Sequence, residues 1–162
     1  MVQLQPWGEK NFDVVEADVL ETVKQLIIEN ADALPGVIQT LELCKANGYK
    51  IALASSSAMS LINVVVDKLN IRHYFDLLVS AEFEPYGKPH PSVFITTANM
   101  LNVMPTECLV FEDSVNGMIA AKAARMKCIV IPEAEKQNEP YWQLANQKLK
   151  TLEEFKLEMV EM

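Results

Sequence analysis

Short apolar runs alternate along the chain with segments whose apolar residues recur every three or four positions. Apolar runs of strand length are typical of buried parallel strands, and the longer spacing is typical of the helices that cover them. The pattern predicts strands at 49–54, 75–79, 108–111 and 127–132, and helices at 37–47, 61–69, 92–101 and 118–124. Strand and helix in regular alternation predict an α/β fold with a doubly wound parallel sheet.

Residues 12–34 show helical spacing before any predicted strand, with apolar side chains at Val15, Val19, Val23 and Leu26. We predict an amphipathic helix that ends at Pro35-Gly36. This helix and the one after it are interpreted as additions to the alternating pattern. The tail from residue 137 to residue 162 is predicted to be helical in pieces.

Length and charge limit the possible partners. A chain of 162 residues is expected to form one domain with a sizeable core. Its net charge of -8 argues against nucleic acid and anionic membranes, which bind basic surfaces. The three cysteines have no zinc-like spacing, and no apolar run approaches the roughly 18 residues that span a bilayer. We therefore expect a cytoplasmic protein with neither nucleic acid nor membrane as partner; its oligomeric state is left open.

Two adjacent carboxylates, Glu112 and Asp113, follow the apolar run at 108–111 and precede a small polar turn and an Ala-rich helix. Ligands of open parallel sheets bind at the carboxyl ends of the strands. Mg²⁺ is commonly held by one or two carboxylates together with substrate phosphate. The pair is thus a candidate Mg²⁺ site, with a solvated strand end as the alternative.

Two further features end a strand or lie in a turn-rich loop. The hydroxyls of Ser55 and Ser56 follow the first predicted strand, and Lys88 lies in a loop with three prolines and a glycine. Ser55 could instead cap the next helix, and Lys88 could be an ordinary surface lysine. Together with the carboxylate pair they are suited to phosphoryl transfer, although no residue is an obvious nucleophile.

Three motifs in this order resemble those of the haloacid dehalogenase (HAD) superfamily of phosphatases and phosphomutases. They read Ile-Ala-Leu-Ala-Ser at 51–55, Gly-Lys-Pro-His-Pro at 87–91 and Val-Phe-Glu-Asp-Ser-Val-Asn-Gly at 110–117. The last motif, followed by Ala-Ala-Lys-Ala-Ala, resembles the β-phosphoglucomutase-like branch, although Arg125 stands where that branch usually has Gly. The resemblance covers nearly the whole chain and implies a Rossmann-like HAD core.

The resemblance also implies roles for individual residues. Ser55 and the backbone N–H of Ser56 would bind phosphoryl oxygens, and Lys88 would balance charge at the phosphate. The carboxylates of 112–113 would hold Mg²⁺, and Asn116 would touch the metal shell or the substrate. The implied partner is a small phosphorylated sugar, a hexose or hexitol phosphate, and the implied reaction is Mg²⁺-dependent phosphate hydrolysis. His90 is interpreted as a loop histidine rather than a catalyst.

The family's first motif, Asp-x-Asp-Gly, occurs nowhere in the 162 residues. By the resemblance, residues 1–34 are a remnant of the helical cap and residues 35–162 are the core. The missing strand would lie at the centre of the sheet, between the strands that carry Ser55 and Glu112. We expect the two resulting strand edges either to pair with each other or to mark a fragment of a longer protein, and we expect little activity from this chain alone.

The same residues bear on three other functions. A non-catalytic remnant that serves as a binding module and a phosphomutase fragment both stay open, the latter because substrate choice in the family resides largely in the cap. A response-regulator receiver uses similar groups, but its acidic pair precedes its hydroxyl and lysine. The order here is hydroxyl, lysine and acids, and this excludes a receiver.

Overall fold

A computed structural model of the chain describes residues 11–161. Five helices and five strands form there, joined by short loops and 3₁₀ turns. In chain order they are α1 (Phe12–Asn30), α2 (Val37–Ala46), β1 (Ala52–Ser55), α3 (Met59–Lys68), β2 (Leu77–Ser80), α4 (Ser92–Leu101), β3 (Leu109–Glu112), α5 (Val115–Ala123), β4 (Lys127–Val130) and β5 (Gln147–Lys148).

The strands form two parallel sheets. One sheet contains β1 and β2, and the other has the order β3-β4-β5. The α/β prediction is confirmed, with parallel strands flanked by helices. The expectation that the edges of β1 and β3 might pair with each other is wrong within residues 11–161, because no ladder joins the two sheets there.

One core nevertheless extends across both sheets. Helix α4 contacts both strands of the first sheet and also α5, which covers the second sheet. The core includes Val79 of β2, Val93 of α4, Met118 of α5 and Cys128 of β4. Three of these four are fully buried, so the two sheets are held side by side by packing rather than by backbone hydrogen bonds.

The second sheet is covered on another face by the C-terminal segment. A smaller cluster there contains Ile129 of β4, Leu149 and Phe155. The Phe155 ring meets Phe111 of β3 edge-to-face, with 5.0 Å between ring centroids. This tail forms several 3₁₀ turns, and it adds β5, a strand that the sequence pattern did not predict.

Two turns depend on backbone conformations with positive φ. Gly36 precedes α2 at φ 86°, and a Cβ there would overlap the backbone of the segment at 152–153. Arg125 follows α5 at φ 64°, the left-handed region that terminates many helices and favours glycine. This conformation is the physical reason that a glycine would suit position 125.

Helix α1 lies apart from the core. It packs against α3, yet none of its side chains is buried, and Val19 and Leu26 are each more than half exposed. The predicted helix over 12–34 ends earlier, at Asn30. Assignment of residues 1–34 to a cap remnant stays a prediction, and residues 1–10 lie outside the described part of the chain.

No helix between residues 11 and 161 combines the length and apolar character needed to cross a bilayer.

Candidate active site

Lys88 joins the carboxyl ends of β1 and β3. Its Nζ donates to the backbone carbonyl of Ala54 at 3.1 Å and to Oε1 of Glu112 at 2.5 Å. The aromatic face of Phe94 lies beneath it, with 4.6 Å between Nζ and the ring centroid. The structure therefore brings the lysine of the turn-rich loop against the first strand and the acidic strand end.

This ion pair is withdrawn from solvent. The side chains of Lys88 and Glu112 are 10% and 8% exposed. An exposed ion pair contributes little to protein stability. A buried pair carries a large desolvation cost, and removal of one partner strongly destabilises the protein because the other charge stays buried and unpaired. The surface-lysine alternative for Lys88 is therefore wrong, since its ammonium group is buried in a specific arrangement.

A turn after β3 fixes the other oxygen of the Glu112 carboxylate. The Ser114 hydroxyl donates to Glu112 Oε2 at 3.0 Å and accepts from the backbone N–H of Gly117 at 3.0 Å. Ser114 is thus the N-cap of α5 as well as a contact of the carboxylate. A Cβ at position 117 would overlap the Glu112 carboxyl group, so only glycine leaves room for it.

The loop after β1 is held by groups from β2 and the turn that follows it. Ser55 is the last residue of β1, and its Oγ accepts from the N–H of Ser57 at 3.1 Å. Helix α3 begins at Met59 with Ala58 as N-cap, so the alternative that Ser55 caps this helix is wrong. The Ser80 hydroxyl donates to the Ser57 carbonyl at 2.7 Å, which fixes the path of the loop.

The first turn of α3 has a carboxylate at its amino end. The N–H of Met59 donates to Glu82 Oε2 at 2.6 Å. A negative group there is favoured by the unpaired N–H groups and the helix dipole. Ser56 precedes this turn and is exposed.

The two remaining predicted residues lie on the surface near the Glu112 turn. Asp113 and Asn116 are both exposed, and neither side chain makes a hydrogen bond or ion pair within the described part of the chain. Asp113 is adjacent to Glu112 along the backbone, so two carboxylates occur at the end of β3, one buried and one exposed. Their roles stay predictions.

The donor chemistry at this strand end suits Mg²⁺. Both candidate ligands are carboxylates, and the glycine at 117 leaves the space in which the Glu112 carboxylate lies. No cluster of three or more His, Cys, Asp or Glu side chains capable of holding a metal occurs within residues 11–161. Mg²⁺ commonly binds through one or two carboxylates and completes its shell with water and phosphate, so the two carboxylates fit.

A buried thiol lies next to the site on β4. Burial, and to a smaller extent the negative charge of Glu112, raise the pKa of Cys128 to about 12. A thiol with this pKa is uncharged at neutral pH and is a poor nucleophile. Cys128 is therefore a packing residue, and it supplies no nucleophile.

The sequence did not identify several residues that build this site: Ser80, Glu82, Phe94, Ser114 and Gly117. Ser114 did carry a signal, because a serine immediately before a run of helix-forming residues is a common N-cap. His90 lies in the loop, with Nδ1 2.6 Å from the Ser92 hydroxyl and its ring beside Tyr86. These local contacts agree with its interpretation as a loop histidine.

The fold and the strand-end site define an α/β enzyme of the Rossmann-like kind, and comparison with known proteins specifies the family. Residues 3–125 match the haloacid dehalogenase-like hydrolase family. The chain is also 46% identical over 151 residues to a protein named hexitol phosphatase B from Escherichia coli O157:H7, covering 93% of this chain and 68% of that protein. The chain belongs to the haloacid dehalogenase-like hydrolase family.

Solved structures agree with this assignment. A structure of CbbY from Rhodobacter sphaeroides in complex with phosphate superposes with a TM-score of 0.87 at 23% identity, covering 96% of this chain and 71% of that one. At this identity the likeness shows the fold alone. β-Phosphoglucomutase from Clostridium difficile superposes with a TM-score of 0.75 at 32% identity, covering 85% and 60% of the two chains.

Proposed function

We propose that the site serves Mg²⁺-dependent hydrolysis of phosphate monoesters of small sugars, with a hexitol or hexose phosphate as substrate. The observation that carries the proposal is the buried Lys88–Glu112 pair, which joins the ends of two strands from different sheets. Burying two charges is costly, and the ligands of open parallel sheets bind at the carboxyl ends of the strands. The name of the E. coli relative supports the substrate class.

In this proposal the phosphoryl group binds between the loop after β1 and Lys88. The Ser55 hydroxyl and the Ser56 N–H donate to phosphoryl oxygens beside the N-terminus of α3. Two N–H bonds of the Lys88 ammonium are directed at Ala54 and Glu112, which leaves the third for a phosphate oxygen. These donors offset the negative charge of the phosphate and hold it in place.

Glu112 and Asp113 would hold Mg²⁺, with Asn116 in reach of the metal shell or the substrate. When bound, Mg²⁺ would polarise the phosphoryl group and offset its charge. Ser114, Gly117 and Lys88 act through Glu112, because together they fix its carboxylate at the end of β3. They are positioning residues for the metal ligand, and Lys88 also contacts the phosphate.

We further propose that the 162 residues alone release little phosphate. The attacking and proton-transferring aspartates of the family belong to an Asp-x-Asp motif, and this sequence contains none. Loss of a nucleophile commonly lowers turnover by several orders of magnitude.

In this proposal residues 1–34 belong to the cap and residues 35–162 to the core. The three free thiols support a reducing, cytoplasmic location.

A two-part experiment separates binding from turnover. Mn²⁺, as a spectroscopic substitute for Mg²⁺, is titrated into the purified chain with inorganic phosphate and followed by electron paramagnetic resonance. We expect Asp113→Asn to weaken metal binding by about tenfold or more, and the exposed Asp32→Asn to leave it unchanged. Equal effects of the two substitutions would contradict the metal site.

Turnover is measured in parallel with hexitol 6-phosphate and 2-deoxyglucose 6-phosphate in the presence of Mg²⁺. We expect phosphate release close to the background rate. Robust release by the purified chain would contradict the proposal that an essential nucleophile is absent, whatever the metal titration shows.

A phosphomutase is the second candidate, and the 32% identity to β-phosphoglucomutase favours it. Both reactions need the same phosphate and metal groups, so the strand-end site does not separate them. The distinguishing measurement is competition for the site. Tighter binding of a hexose bisphosphate than of a hexitol monophosphate would favour the mutase, and the reverse order would favour the phosphatase.

A further inference from the structure

The loop that carries Lys88 is joined to helix α4 by one imidazole. His90 Nδ1 lies 3.3 Å from the backbone N of Ser92 and 2.6 Å from the Ser92 hydroxyl, and Ser92 is the first residue of α4. A backbone N–H can only donate, so Nδ1 is the acceptor and we assign the ring proton to Nε2. Pro91, the N-cap, makes no side-chain bond to the helix. The imidazole therefore supplies an acceptor that the first turn of the helix needs.

His90 also contacts the loop on the other side of Lys88. Its backbone N–H donates to the Gly87 carbonyl at 3.0 Å, which closes a turn over 87–90. Its ring lies against Tyr86, with 4.9 Å between the ring centroids. The contacts of this one residue thus bracket Lys88 along the chain, with Tyr86 and Gly87 before it and Ser92 after it.

Packing alone does little to fix this loop. The residues at 85–87 and 89–90 are exposed, and a Cβ at Gly87 would meet no atom within 4 Å. An open cavity of about 670 Å³ is lined by the loop and by Ile119 of α5. Ordering the backbone of an exposed segment is costly, so a loop that holds Lys88 in one place depends on its hydrogen bonds.

Helix α4 provides a further contact of the ammonium group. Phe94 lies in the first turn of α4, and its ring centroid is 4.6 Å from Lys88 Nζ. The ammonium group must reach this ring together with the Ala54 carbonyl and Glu112 Oε1. The position of the loop relative to the start of α4 therefore decides whether Lys88 meets all three partners, and the imidazole spans that junction.

We propose that His90 is a positioning residue for Lys88. Through its Nδ1 acceptor it fixes the loop against the start of α4, and this holds the Lys88 ammonium group against Glu112. In this role His90 acts through Lys88 rather than on the phosphate itself, and its effect on phosphate binding rests on the proposed function. The placement of Lys88 does not rest on that function and is measured separately.

The test compares three substitutions of His90. His90→Asn keeps an acceptor oxygen on Cγ, the atom to which Nδ1 is attached, whereas His90→Gln moves the acceptor one bond further from the backbone. His90→Ala removes the acceptor. Because Asn and Gln carry the same amide group, rescue by Asn alone identifies the Nδ1 position. His73→Gln is the matched control, because His73 is also exposed and lies beside a tyrosine ring, in the turn before β2.

The Lys88 ammonium group is followed by ¹H–¹⁵N NMR of the full chain, with Lys88→Met used to assign its signal. A buried, hydrogen-bonded ammonium group exchanges its protons with water slowly. We expect this exchange to be about tenfold faster in His90→Ala and His90→Gln than in the unmodified chain, and to stay within about twofold in His90→Asn and His73→Gln.

Two outcomes of this measurement would overturn the proposal. Equal exchange in all the variants would do so even if α4 lost stability, because His90 would then be a local helix cap. Absence of a slowly exchanging signal in the unmodified chain would also do so, because Lys88 would then not be held as the structure places it.

Binding of inorganic phosphate in the presence of Mg²⁺, measured by calorimetry, tests the consequence for the site. We expect His90→Ala and His90→Gln to weaken phosphate binding by about fivefold, the effect of roughly one hydrogen bond, and His90→Asn to bind within about twofold of the unmodified chain. Equal weakening by the Asn and Gln variants would contradict the role of Nδ1. If the unmodified chain bound no phosphate, the proposed function would fail, and proton exchange at Lys88 would still decide the role of His90.

Discussion

At position 117 a glycine leaves room for the Glu112 carboxylate, and this contact yields a prediction. In Gly117→Ala the new Cβ would displace the carboxylate from Lys88 and Ser114. We expect the free energy of unfolding to fall by about 1–3 kcal/mol, the usual cost of overpacking, and metal affinity to fall with it. Urea unfolding and the Mn²⁺ titration measure the two effects.

Gly87→Ala is the matched control, because a Cβ at position 87 has open space around it. We expect this control to change stability by no more than about 0.5 kcal/mol. Equal stability of the two variants would mean that Glu112 is not confined in solution as the structure places it.

The Lys88–Glu112 pair yields a second prediction at the same scale. Lys88→Met would leave a buried carboxylate without its cationic partner, and we expect a loss of about 3 kcal/mol in unfolding free energy at neutral pH. Adding Glu112→Gln removes the unpaired charge and should restore a large part of that loss. A double-mutant cycle by urea unfolding measures the coupling, and additive single effects would contradict it.

Residues at strand ends were the most predictable part of the site. Glu112, Ser55 and Lys88 could be grouped because their motifs follow strands or lie in a rigid loop, and parallel strands end on one edge of a sheet. Glu82 and Ser80 were not predictable in the same way. Their contacts with Met59 and Ser57 join residues that are more than twenty positions apart, and no local pattern marks such pairs.

Among the elements, β1 and β2 share one clamp at their amino ends. The Asp76 carboxylate accepts from the Ile51 N–H at 2.8 Å and from Lys45 at 3.2 Å. Both donors hold the pKa of Asp76 below its ordinary value, and the backbone N–H of Ile51 has the larger effect. A carboxyl group with a lowered folded-state pKa stabilises the fold above its ordinary pKa and loses that effect as pH falls through the lowered value.

We therefore expect Asp76→Asn to lower the free energy of unfolding at pH 7 by about 0.5–1 kcal/mol, a small effect because the side chain is partly exposed and screened by solvent. The difference in unfolding free energy between Asp76→Asn and the unmodified chain should become smaller as pH falls below about 4. Urea unfolding at several pH values tests this, with the exposed Asp32→Asn as control. A difference that widens on acidification would contradict the clamp.

Helix bounds were predictable where caps and periodicity agreed. Helix α4 has the predicted bounds, Ser92–Leu101, because prolines precede it and its buried residues follow one stripe. The strand β5 was missed, since two residues carry no period and its pairing with β4 is set by the tail as a whole. The predicted helix over 12–34 was too long because Pro35 is the first strong helix-ending residue in the sequence. In the structure the chain leaves the helix earlier, at Ala31, where the backbone is extended.

For the whole molecule, the described strands form two sheets rather than the one sheet that the alternating pattern predicted. Local patterns correctly predicted four parallel strands, yet which strands are neighbours depends on long-range packing. Helix α4 and the shared core hold the sheets together, so the fold is retained although β1 and β3 do not pair within residues 11–161. The functional consequence is that the strand ends still converge on Lys88.

The separation of α1 from this core predicts where the stability of the molecule resides. Met118 of α5 is fully buried between the sheets, whereas Leu26 of α1 is 54% exposed. Met118→Ala removes core contacts and leaves a cavity, and we expect it to cost about 2–5 kcal/mol of unfolding free energy. Leu26→Ala should change it by no more than about 0.5 kcal/mol, since alanine also favours the helix. Thermal and urea unfolding compare the two variants. Equal destabilisation would show that the exposed face of α1 is covered in solution, and it would contradict the assignment of α1 to a unit outside the core.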